Sequence, residues 1–93
     1  MWARVARFEG DPTDVDTRVE RLRALLDSGD LPRELADARF MLFVDRTSGA
    51  ALGVTLFESE EALRRGDEAM NAGAGHAGSR SGVEFYEEPL HTF

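Results

Sequence analysis

Phe40-Met41-Leu42-Phe43-Val44-Asp45-Arg46-Thr47-Ser48-Gly49-Ala50-Ala51-Leu52-Gly53-Val54-Thr55-Leu56-Phe57-Glu58-Ser59-Glu60-Glu61-Ala62-Leu63 reads as strand, tight turn, strand and the start of a helix. Phe40 to Val44 is an unbroken apolar run rich in aromatic and branched side chains. Thr47-Ser48-Gly49 supplies turn chemistry, and Ala50 to Phe57 is a second apolar run interrupted only by Gly53 and Thr55. Together they predict a β-hairpin. A hairpin with one wet face alternates apolar and polar residues. Here Phe40, Leu42 and Val44 are apolar on one face, and Met41 and Phe43 on the other. Both faces ask for burial.

Downstream, Ser59 is placed to cap a helix, and Glu60 with Arg64 and Glu61 with Arg65 form acid-before-base pairs one turn apart. Leu63, Gly66 and Met70 make its inner stripe. Asn71 to Gly82 loses all apolar periodicity and predicts a loop, Val83 to Glu88 a last strand, and Pro89 its end. Upstream, residues 2–8 predict a first strand, broken at Gly10-Asp11-Pro12. Thr13 and Asp16 match a capping box, followed by Val15, Val19, Leu22, Leu25 and Leu26 at helical spacing up to Gly29. Arg18 falls on the polar side, where it pairs with Asp14. Leu31 to Ala38 is a connector with one helical turn.

At 93 residues the chain predicts a single domain, 1–93, with a modest core. It contains no cysteine, which excludes disulfides, thiolate metal sites and thiol catalysis. Eleven basic residues, all arginine, stand against eighteen acidic ones, for a net charge of −7. Such a surface repels phosphate backbones and anionic lipid, so neither nucleic acid nor membrane is an expected partner. Met1 to Arg7 lacks the apolar core of a signal peptide, and no apolar run approaches a membrane span, which predicts a cytoplasmic location.

Strand, helix, strand, strand, helix, strand is the split βαβ arrangement: an α+β, ferredoxin-like βαββαβ fold whose four-stranded antiparallel sheet carries both helices on one face. No segment remains to cover the other face. A second copy of the chain does so in the expected homodimer. The stretches Phe43 to Gly49, Gly53 to Leu63 and Val83 to His91 resemble the dimeric α+β barrel superfamily, and more narrowly its antibiotic-biosynthesis-monooxygenase-like small domains. That resemblance implies a dimeric α+β barrel, with either cofactor-free oxygenation of phenolic rings or oxidative haem degradation. Carried over residue by residue, the haem-degrading set falls near Ala3, Gly66 and His76, of which only the histidine matches. The quinone-forming relatives place an indole in the cavity, whereas the single tryptophan here is Trp2, in the first strand.

The candidate reacting groups are His76, a loop imidazole suited to general-base work or haem ligation; Tyr86, which shares a strand face with Glu84; and Asn71. Phe40, Met41, Phe43, Thr55 and Phe57 are the candidate ligand-pocket residues. Arg4 and Arg7 are available to an acidic ligand or to surface salt bridges. Gly73 to Gly78 spells G-x-G-x-x-G, but after a helix and before a strand, which is the wrong context for a dinucleotide. No close spacing joins His76 and His91 into a metal site. The reading is a homodimer that binds a small apolar or aromatic molecule and needs no cofactor. The alternatives are a non-catalytic dimerisation or sensing module and a haem protein.

Overall fold

The computed structural model describes residues 1–72 and 79–92. Its strands are β1 (Trp2–Glu9), β2 (Arg39–Val44), β3 (Ala51–Phe57) and β4 (Ser79–Glu87), and its helices α1 (Val15–Asp27) and α2 (Glu60–Ala72). The four strands form one antiparallel sheet in the order β2-β3-β1-β4, the ferredoxin-like arrangement.

Register decides which residues share a face. Arg4 lies opposite Thr55 and Phe85, Ala6 opposite Gly53 and Val83, and Phe40 opposite Thr55, so all of these point to the helix side. Val5, Val54, Met41, Phe43, Glu84 and Tyr86 alternate with them and point to the other side. α2 packs against β1 and β3, with Leu63 and Phe57 each 3% exposed. Gly66 lets α2 come down onto the sheet: a Cβ there would stand 2.4 Å from the Phe57 ring.

The hairpin turn is held by Asp45, whose Oδ1 accepts from the backbone N–H of Thr47 at 2.9 Å and of Ser48 at 3.2 Å. Gly49 completes it at φ 83°, and a Cβ there would lie 2.2 Å from the Gly10 carbonyl oxygen. Helix α2 is capped by Ser59, whose Oγ accepts from Ala62 N at 3.1 Å, and the two expected ion pairs close at 2.7 Å and 2.6 Å.

Three expectations are corrected. Asp11, rather than Thr13, begins the first helical segment: it accepts from Thr13 N at 2.9 Å and heads a 3-10 turn, Pro12–Asp14, that feeds α1. Arg18 does not lie on an exposed polar face of α1. It is 7% exposed and donates to the Gly49 carbonyl at 2.6 Å, lying against Gly10, where a Cβ would meet the guanidinium at 2.7 Å. The third concerns β4, which starts at Ser79 and not at Val83, because ladder bonds with β1 order a Ser/Gly segment that has little strand propensity of its own.

The β1–β4 pairing contains a bulge. Arg7 faces Gly82 and Phe8 faces Arg80, leaving Ser81 as the extra residue. Beyond β4, Glu88 N donates to the Met1 carbonyl at 2.8 Å, and Pro89 ends the pairing. Leu90 is 80% exposed. No helix among the described residues is long and apolar enough to cross a membrane.

Candidate ligand-binding site

Between α1 and the sheet lies a cavity of about 320 Å³, at the small end of the range for ligand sites. Leu22, Leu25 and Leu26 of α1 form one wall, and Leu31 and Leu35 of the connector close an end. Phe8, Phe40 and Gly53 form the sheet floor. Gly53 leaves its floor position bare: a Cβ there would touch the rings of Phe8 at 3.4 Å and Phe40 at 3.6 Å.

Few polar groups reach this apolar space. Thr55 is 2% exposed, and among the described residues its hydroxyl donates only to the Met70 sulfur, at 3.8 Å. A thioether is a weak acceptor, so this hydroxyl remains available to a ligand oxygen. Arg4, also 2% exposed, donates through Nε to Asp67 Oδ1 at 2.8 Å and through Nη2 to Asn71 Oδ1 at 3.2 Å. Asn71 Oδ1 accepts a second bond from Arg80 Nη1 at 2.5 Å, and its Nδ2 donates to Asp67 Oδ2 at 3.4 Å. Arg80 lines the cavity from β4.

Of the residues predicted for the pocket, Phe40 and Thr55 line it. Met41 and Phe43 do not: strand alternation turns them to the opposite face, where Phe43 is 55% exposed. Phe57 is buried beneath Gly66. The proposed reacting groups are not gathered in one place. Asn71 belongs to the arginine network beside the cavity, whereas Tyr86 is on the far face of the sheet, its hydroxyl donating to Glu84 Oε2 at 2.6 Å. Arg7 Nε donates to the other Glu84 oxygen at 2.6 Å. These two bonds, Tyr86 first, hold the Glu84 carboxyl below its ordinary range, and the same bond raises the Tyr86 phenol. His76 and the glycine motif from 73 to 78 lie outside the described residues. Among those described, no three His, Asp or Glu side chains converge to hold a metal.

The arginine network was missed in the sequence, where Arg4 reads as a surface cation. Its signal was Arg4 alternating with small Ala3 and apolar Val5 in a strand covered by a helix that bears Asp67 and Asn71 one turn apart.

No protein-family model matches the sequence, and no curated protein matches it. Among solved structures, the fold superposes on a Chloroflexus aurantiacus J-10-fl protein provisionally assigned as an antibiotic biosynthesis monooxygenase. The TM-score is 0.58 at 11% identity, covering 99% of this chain and 95% of that one. The chain therefore shares its small α+β fold with that protein.

Proposed function

We propose that the chain is a homodimeric small-molecule-binding protein that takes a small apolar or aromatic compound into the cavity between α1 and the sheet, in the manner of the cofactor-independent monooxygenases whose fold it shares. The observation that carries this reading is the cavity itself: about 320 Å³, walled by leucines and phenylalanines, with the Thr55 hydroxyl and a held arginine pair as its polar points. Burying a bicyclic ring there removes apolar surface on both partners from water. The dimer follows from the uncovered sheet face, where Met41, Phe43, Val54 and Val5 lie side by side.

Isothermal titration with 2-naphthol tests the binding. The expected result is a saturable complex that is lost in Ala69→Phe, which fills the cavity from α2. Equal binding by the variant would place the ligand elsewhere and defeat the reading. A second reading, a ligand-binding module without chemistry, is favoured by the separation of Tyr86 from Asn71 across the sheet. Dioxygen uptake with 1,4-dihydroxynaphthalene separates the two: uptake above the rate of the compound alone supports oxygenation, and its absence despite binding supports the module.

A further inference from the structure

We propose that the ligand of this cavity is an amphipathic monocarboxylate, an apolar body carrying one carboxylate, seated with that carboxylate on the Arg80 guanidinium; this rests on the reading of the cavity as a ligand site. Two separate features lead to it.

The first is the charge arrangement. The cavity is lined by the charged residues Arg4, Asp30 and Arg80. Arg4 is matched by Asp67 at 2.8 Å. Arg80 is not matched: among the described residues no carboxylate, Asp30 included, lies in ion-pair range of it, and its partner is the neutral amide oxygen of Asn71. Residues 73–78, Gly-Ala-Gly-His-Ala-Gly, carry no acid that could supply one. A guanidinium at the wall of an apolar cavity, with Asp30 elsewhere on the lining and out of its ion-pair range, calls for one negative charge on the ligand beside it. A guanidinium presents paired N–H donors that fit a carboxylate in two-point fashion. Asn71, fixed by Arg4 and Asp67, holds Arg80 in place before any ligand arrives, which lowers the ordering cost of binding. A phenol is uncharged at neutral pH and gives up the Coulomb term.

The second is the bulge in β4. With Ser81 as the extra residue, Arg80 stands opposite Phe8 and so shares its face toward the helices. In an unbroken ladder Ser81 would take that place, and Arg80 would pair with Glu9 and point away from the cavity. The irregularity thus does one identifiable thing, which is to turn a cation into the apolar space.

The test is isothermal titration at pH 7 with 2-naphthoate, methyl 2-naphthoate and 2-naphthol against the wild type and Arg80→Gln. The expected result is that naphthoate binds at least about tenfold more tightly than its ester, the size of a charge-assisted hydrogen-bond pair. Arg80→Gln abolishes that preference, bringing naphthoate to the affinity of its ester. Arg80→Gln is a substitution at an exposed position, and circular dichroism checks that the variant is folded. Equal affinity for naphthoate and ester, tighter binding of naphthol, or an unchanged preference in Arg80→Gln overturns the carboxylate while leaving the cavity a ligand site. If none of the three probes binds, the cavity reading fails and the carboxylate goes with it.

Discussion

Arg18 and Gly66 show how much of this fold rests on single atoms. The Arg18 guanidinium is buried between the Gly49 carbonyl and Gly10 and ties α1 to the hairpin turn. Arg18→Ala therefore loses a charged hydrogen bond and leaves a buried carbonyl unsatisfied, an expected loss of about 1.5 to 3 kcal/mol in urea unfolding. Arg18→Lys does not restore it, because a single ammonium cannot cover the same planar contact. Gly66→Ala sets two effects against each other. Alanine in place of helical glycine favours the helix by about 1 kcal/mol, but its Cβ would stand 2.4 Å from the Phe57 ring, and overpacking of that kind costs about 1 to 3 kcal/mol. The clash wins, so the variant melts below the wild type. Neither role was legible in advance. Helical spacing places Arg18 one turn after Asp14 and suggests a surface pair, and only the arrival of Gly10 and Gly49 from distant chain positions gives the guanidinium backbone to bind.

The hairpin was the most legible element, since its turn chemistry and its two-faced apolar pattern are local facts of residues 40–57. Its acid response follows from Asp45. Two backbone N–H bonds, from Thr47 first and then Ser48, lower this carboxyl from its ordinary 3.8, and Asp11 is lowered likewise by Thr13. A carboxyl depressed in the folded state contributes stability that is complete above 3.8 and is lost as pH falls through the lower folded value. Thermal stability is accordingly expected to decline on acidification below about pH 4. Asp45→Asn keeps the acceptor oxygen and removes the titration, so its acid decline should be shallower; parallel curves for the two proteins would assign the acid limb to other groups. The opposite case is β4. Ser79 to Gly82 reads as a loop because its strand character comes entirely from β1, 70 to 75 positions away, and the arginine that this segment delivers to the cavity was hidden with it.

For the molecule as a whole, element order was enough to place two helices on one face and leave the other bare, but it could not say which apolar residues fall on which side. Met41 and Phe43 were assigned to the pocket and face away from it, because alternation along β2 separates them from Phe40. In the proposed dimer they would be interface residues. In light scattering the wild type is expected at twice the 10.3 kDa of one chain, and Met41→Glu with Phe43→Glu at the mass of one chain, with the circular dichroism spectrum retained. A wild type that already runs as a single chain at micromolar concentration would remove the dimer. The tail is tested in the same instrument: Leu90, 80% exposed on a single chain, is expected to be covered in the dimer, so removal of residues 90–93 weakens association. The bulge at Ser81 has one more consequence, for descent. Because Ser81 is the residue left over by the pairing, losing its single codon would give an unbroken ladder with Arg80 still opposite Phe8 and the same side chain offered to the cavity. A three-nucleotide insertion or deletion at this point of the last strand is therefore absorbed by the bulge without changing what the cavity meets, and comparisons that score only substitutions would pass over the event.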